Sequence, residues 1–194
     1  MWIAILATVA ITAFLVIVSM NFHRPEKSVR HHVSHCHAID DPQFRLEMDA
    51  ILGPGVLAGN EVTALQNGDQ IFPAMLEAIR GACRSITFET YIYWSGEIGK
   101  TFADALKERR QAGVAIHVML DWAGSAKMDA RLIDELADAG VYVERYHPLR
   151  SYIIARLNNP THRKLLIVDW RIGFTAGVGI SHQSQGHAQD PDHW

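Results

Sequence analysis

Cysteine is scarce in this chain, and no surplus of basic residues stands against the acidic ones. Cys36 and Cys83 are the only thiols. Two cysteines build no disulfide framework, and without a Cys-x-x-Cys pair they suggest no zinc site. The formal net charge is -3. That leaves no overall basic field of the kind that holds a nucleic acid backbone, so no nucleic acid partner is expected. No internal repeat is visible. Histidine, by contrast, is plentiful: His23, His31, His32, His35 and His37 crowd one stretch. No carboxylate or cysteine pattern accompanies them, so the stretch reads as a solvated spacer rather than a metal centre. Neither a metal nor a cofactor is expected elsewhere.

The 194 residues suffice for one domain of ordinary size plus an appendage. The appendage is Trp2 to Met20, an uncharged run broken only by Thr8, Thr12 and Ser19. It is long enough to cross the hydrocarbon core, which takes about 20 helical residues. No Lys or Arg precedes it and no Ala-x-Ala-like cleavage site follows it, so it reads as an uncleaved single-pass anchor in the cell membrane. Arg24, Lys27 and Arg30 follow the run, and the positive-inside rule places the body of the chain in the cytoplasm. The expected organisation is an anchor over 2–20, a juxtamembrane linker over 21–58 with a short helix near Gln43 to Ile51, and a catalytic lobe over 59–194.

Within the lobe, Glu61 to Leu65 alternates like a short strand, and Asn67-Gly68 signals a turn. Asp69 suits the cap of a following helix, where Ile71, Phe72, Met75, Leu76 and Ile79 recur at helical spacing. Arg84 to Trp94 reads as a strand with Ile86, Phe88, Thr90, Ile92 and Trp94 on one face. A helix over Glu97 to Ala112, a strand over Val114 to Leu120, a helix over Ser125 to Ala139 and a strand over Val141 to Tyr146 follow. His147 begins a loop that runs towards Pro160. A strand led by His162 and a hairpin partner over Ile172 to Ala176 complete the series. Strand–helix–strand–helix–strand implies an α/β fold: a mixed, largely parallel sheet flanked by helices, preceded by one transmembrane helix.

One stretch carries chemistry. Thr161-His162-Arg163-Lys164-Leu165-Leu166-Ile167-Val168-Asp169 reads His-x-Lys, four apolar residues, then Asp. On a strand, His162 and Lys164 point the same way. Histidine can attack phosphorus and protonate an alcohol near neutral pH. Lysine supplies a compact charge for the non-bridging oxygens of a phosphoryl transition state. A nearby carboxylate can fix the imidazole's tautomer, a role expected of Asp169.

The pattern resembles the HxKxxxxD signature of the phospholipase D superfamily. With Asn67 to Leu76, Phe88 to Gly96 and the glycine-spaced run Gly173-Phe174-Thr175-Ala176-Gly177-Val178-Gly179, the chain looks closest to that superfamily's bacterial cardiolipin synthases. The resemblance covers roughly Gly59 to Trp194 and implies a phosphatidyltransferase with a covalent phosphohistidine intermediate. By it, His162 is the nucleophile, Lys164 binds phosphate and Asp169 supports the site, while Glu89, Tyr91, Gly177 and Gly179 are expected beside the substrate. The implied substrates are phospholipids of a membrane, phosphatidylglycerol first. The superfamily's enzymes are bilobal, with one such motif per lobe. Here only one is present, so the second is either missing, which makes the chain an N-terminal half, or supplied by a homodimer. A homodimeric single-motif phosphodiesterase or nuclease and an inactive membrane-anchored fragment are the alternatives.

Overall fold

The structure is a computed structural model, and it describes residues 1–22, 36–53, 55, 57–146 and 162–193. The expectations for His23, His31, His32 and His35, and for the loop from His147 to Thr161, fall outside the described residues. The chain divides into two compact units, Met1–Thr63 and Ala64–Trp194.

The first unit holds helix α1 (Trp2–Phe22) and helix α2 (Pro42–Leu52). The window Trp2–Ser19 of α1 is long and apolar enough to cross a membrane, and none of it is buried. Helix α2 begins where Asp41 accepts a hydrogen bond from the Gln43 N–H at 2.8 Å, with Pro42 in its first turn. His37 sits between Asp41 (3.2 Å) and Glu47 (3.3 Å), so this histidine has carboxylate partners.

The second unit is one five-stranded sheet with helices α3 (Asn67–Gly81), α4 (Glu97–Gln111) and α5 (Ala130–Asp138). Its strands are β1 (Ser85–Thr90), β2 (Ala115–Asp121), β3 (Tyr142–Tyr146), β4 (Lys164–Val168) and β5 (Ile172–Thr175), in the spatial order β3-β2-β1-β4-β5. The sheet is mixed as expected. β1 to β3 are parallel, joined by crossover helices, while β4 runs antiparallel to both β1 and β5.

The core lies on one face. Ile86, Phe88, Ile116, Val118, Leu120, Leu166 and Val168 meet Phe72, Ile79, Phe102, Leu106 and Leu136 from the helices in one buried cluster. Phe102 packs edge-on against Phe72 and stacks with Phe88, with ring centroids 5.8 and 6.1 Å apart. Each such ring contributes on the order of 1.5–3 kcal/mol through burial. The opposite face, with Thr87, Glu89, His117, Met119, Leu165 and Ile167, stays partly or fully exposed.

Four local expectations are corrected. Residues 60–66 form no strand. Asp69 is not the cap of α3; Gln66 is, without a side-chain cap bond. The free N–H of Asp69 instead donates to the Gly186 carbonyl at 3.0 Å, because the loop after β5 docks against this helix end. Gly68 permits that docking, since a Cβ there would meet the Ser184 carbonyl oxygen at 1.9 Å. The β1 strand stops at Thr90, whose hydroxyl donates to the Ile92 carbonyl at 2.9 Å. Alternation breaks there, and Tyr93 rather than Trp94 is fully buried, its hydroxyl donating to the Gly99 carbonyl at 2.8 Å. Finally, α5 starts at Ala130 rather than Ser125. The Asp121 carboxylate accepts the Ala123 and Gly124 N–H groups and holds a turn, and Asp129 then caps the helix through the Arg131 N–H.

Candidate active site

His162 lies two residues before β4 is assigned, and Lys164 is the strand's first residue. Lys164 pairs with Thr90, the last residue of β1. Antiparallel partners share a face, so Lys164 enters the helix-covered side, where it is 8% exposed. Its stem lies in a small niche lined by Met75, Phe88, Thr90, Phe174, Val178 and Ile180. Burial there pushes the ammonium below the ordinary lysine range.

The Lys164 Nζ comes within 3.3 Å of Nε2 and 3.4 Å of Nδ1 of His162. An ammonium has only protons to offer, so the contact requires an imidazole nitrogen with a free lone pair. Tyr91 completes the cluster, its ring 4.8 Å from the imidazole and 5.7 Å from the Lys164 ammonium. His162 is exposed, so the imidazole has solvent access from one side and an ammonium and a phenol ring on the others. A neutral imidazole beside a fixed cation is a nucleophile placed next to a charge for phosphoryl oxygens.

The other expected residues are placed as follows. Glu89 lies on the opposite sheet face, 12% exposed at its side chain, in an ion pair with Arg163 Nε at 3.0 Å. Gly179 is buried against Ile92, where a Cβ would come within 2.4 Å of the isoleucine Cβ. Gly177 is exposed and has open space around it. It follows Ala176, whose N–H donates to the Lys164 carbonyl at 3.2 Å.

Asp169 is not brought to the imidazole. It sits just past the far end of β4, about 16 Å from Lys164 by the rise of five strand residues and farther still from His162. Its carboxylate accepts the backbone N–H groups of Cys83 (2.8 Å), Arg84 (2.7 Å) and Ser85 (2.8 Å). These bonds hold its carboxyl below the ordinary range. The expectation that it orients the imidazole gives way to a local role: it satisfies the orphan donors at the start of β1. Among the described residues, no carboxylate pairs with His162 in its place.

A cavity of about 630 Å³ also lies at the Asp169 end, lined by Ala74, Ala78, Gly81, Val168 and Phe174. It contains no part of the His162–Lys164 pair. Thr90 and Arg163 are the neighbours that the sequence reading passed over. Arg163 had a signal, since alternation places it opposite both His162 and Lys164.

An α/β lobe whose strand end presents His-x-Lys, with the Asp five residues on, defines a lobe of the HxKxxxxD class. The profile of the family described as "Cardiolipin synthase, PLD-like domain" matches residues 75–190, more than half of the sequence. The chain belongs to that family. Cardiolipin synthase B of Salmonella typhimurium is 39% identical over 129 residues, covering 63% of this chain and 30% of that protein. Cardiolipin synthase 1 of Bacillus anthracis is 34% identical over 144 residues, covering 73% of this chain and 28% of that protein. The chain therefore spans under a third of these relatives. Among solved structures, the phospholipase D family member Nuc from Salmonella typhimurium aligns at a TM-score of 0.47 and 18% identity, covering 60% of this chain and 68% of Nuc.

Proposed function

We propose that the lobe is one half-site of a phosphatidyltransferase of cardiolipin synthase type, held at a membrane by α1. The observation that carries this reading is the His162–Lys164 pair in a chain of this family. His162 attacks the phosphorus of phosphatidylglycerol. A P–N bond forms, the P–O bond to the headgroup glycerol breaks, and the departing alkoxide takes a proton. Lys164 neutralises the non-bridging oxygens as charge gathers on them. The hydroxyl of a second phosphatidylglycerol then attacks the phosphohistidine and loses its proton, giving cardiolipin and free His162.

The proton donor and acceptor come from a second HxKxxxxD motif, on a further lobe or on a second copy of this chain. Support for that division lies in the site itself, where the described residues give His162 a cation and a ring but no carboxylate. Arg24, Lys27 and Arg30 after α1 support a cytoplasmic lobe, close to lipid headgroups. Asp169, in this reading, supports the site from a distance by anchoring the far end of β4.

The test is phosphatidyl transfer by the full chain in mixed micelles of phosphatidylglycerol, beside His162→Ala. Cardiolipin made by the wild type and abolished in the variant supports a site completed by two copies. A folded chain that makes no cardiolipin, and acquires no acid-labile phosphoryl label on His162, overturns the reading. Hydrolysis of a simple phosphodiester without lipid transfer would make it a phosphodiesterase instead.

A further inference from the structure

We propose that Glu89 and Arg163 form a clamp that fixes the direction in which His162 faces, on the side where the ladder already holds Lys164. Glu89 is then a positioning residue that acts through Arg163. This proposal rests on the phosphoryl-transfer reading for its purpose, though its geometry stands apart from it.

The β1–β4 ladder ends at the Thr90–Lys164 pair, and the regular strand starts at Lys164. His162 and Arg163 thus precede the paired stretch. A slip of one residue at a strand end turns every side chain to the other face. Here it would swing the imidazole away from Lys164 and bring the guanidinium in. The Glu89 carboxylate opposes that slip. Glu89 faces Leu165 across the ladder, on the open side of the sheet, and Arg163 is the next residue on that side. The 3.0 Å bond from Arg163 Nε to Glu89 Oε1 pins Arg163 there.

The pair is asymmetric in a way that suits a clamp. Glu89 is set into the sheet at 12% side-chain exposure, while Arg163 reaches in from solvent at 65%. With Arg163 held on one face, His162 and Lys164 are left on the other, the imidazole against Tyr91 and the ammonium in its niche. The clamp also keeps the guanidinium from competing with Lys164 for the phosphoryl oxygens.

Two readouts test this in the full chain in detergent micelles: the proton–proton contact between the His162 and Tyr91 rings by NMR, and the affinity for inorganic phosphate. Glu89→Gln keeps size and Arg163→Gln shortens the side chain, and each removes one charge. Both should lose the ring contact and weaken phosphate binding, on the order of tenfold for a coupled pair. Arg163→Lys, or the exchange Glu89→Arg with Arg163→Glu where it folds, should recover part of each. If both Gln variants keep the ring contact and the affinity, the clamp is wrong. A Lys164→Met chain that binds phosphate as well as the wild type would instead overturn the phosphoryl-transfer reading. The ring contact in the Gln variants would still decide the clamp.

Discussion

The ammonium of Lys164 lies almost equidistant from the two ring nitrogens of His162, at 3.3 and 3.4 Å. It is therefore not committed to one linear bond with the single acceptor nitrogen of a neutral imidazole and is free to turn to a phosphoryl oxygen when one arrives. Lys164→Met keeps the buried stem and removes the charge. Turnover should fall by about 10²–10³, the range for losing one positioned charge donor at a transition state. Lys164→Arg should rescue little, because the niche around the stem is closed by Phe88, Phe174 and Ile180. The wild-type alkaline limb of phosphate binding should fall below the ordinary lysine value of about 10.4, since burial favours the neutral amine. Turnover assays of both variants check the first two statements, and phosphate titrations of the wild type between neutral and alkaline pH check the third.

The Tyr91 ring lies 4.8 Å from the imidazole at a tilt of 54°, and among the described residues its hydroxyl makes no hydrogen bond to that imidazole. Tyr91→Phe should therefore keep phosphate affinity within about twofold, as expected when no hydrogen bond is lost. Tyr91→Ala removes the wall beside His162 and should weaken binding on the order of tenfold, comparable to the loss of one aromatic contact of about 0.5–1.5 kcal/mol. Isothermal titration with inorganic phosphate separates the two variants. Equal losses would assign the role to the hydroxyl.

Legibility in the sequence followed the range of each interaction. Period-two and period-3.6 patterns reported the elements that face the core, and Phe88, Leu106 and Leu166 are buried as their spacing implies. Local side-chain chemistry was read less well where a distant segment supplied the partner. Asp69 looked like a cap because nothing nearby announces that Gly186 meets its N–H. The His162–Lys164 pair was legible because the two residues lie two positions apart at one strand end. Asp169 was placed with them by its spacing, yet a strand of five residues separates ends that a linear motif lists together. Its partners Cys83, Arg84 and Ser85 lie more than 80 positions away.

Gly179 lets the loop after β5 lie against Ile92, with Ile180 N–H donating to the Ile92 carbonyl at 2.9 Å. Gly179→Ala would push a methyl into the Ile92 side chain. The expected cost is about 1–3 kcal/mol, as for overpacking elsewhere, read by chemical denaturation. Gly177→Ala, in open space, should cost under about 1 kcal/mol. A similar loss at both positions would mean that this loop, rather than the Ile92 contact, sets the stability.

Asp169→Asn isolates the strand-start bonds, because Asn tolerates the left-handed backbone found there (φ 52°). Its amide nitrogen faces N–H donors with another donor, so β1 loses part of its cap. The sign with pH follows from the lowered carboxyl. A carboxylate stabilised in the folded state contributes fully above its unfolded value, near 3.9, and loses that contribution as pH falls through the lower folded value. The melting temperature of wild type should exceed that of the variant at neutral pH, with the gap closing in acid. A gap that is constant down to pH 2 would detach the effect from the carboxylate.

Trp170 follows Asp169 in the β4–β5 hairpin, and both have positive φ, 52° and 57°. The Arg171 N–H donates to the Val168 carbonyl at 3.0 Å, closing a two-residue turn with both central residues left-handed. Such turns match the right-handed twist of hairpins but favour Asn or Asp followed by Gly. A tryptophan in the second position carries the left-handed penalty of about 1–2 kcal/mol. Its side chain recovers little of this by burial, since it is 79% exposed. Trp170→Gly should therefore stabilise the lobe by about 0.5–1 kcal/mol, after allowance for the extra freedom of glycine in the unfolded chain. The exposed ring, with Ile172 two residues on at 48% exposure, also leaves an apolar surface at this turn that a contact would cover. Thermal unfolding of the variant, followed by sedimentation of both chains, separates these effects. A gain in stability with unchanged association identifies simple backbone strain, and a loss of self-association on removing the ring identifies a contact between copies.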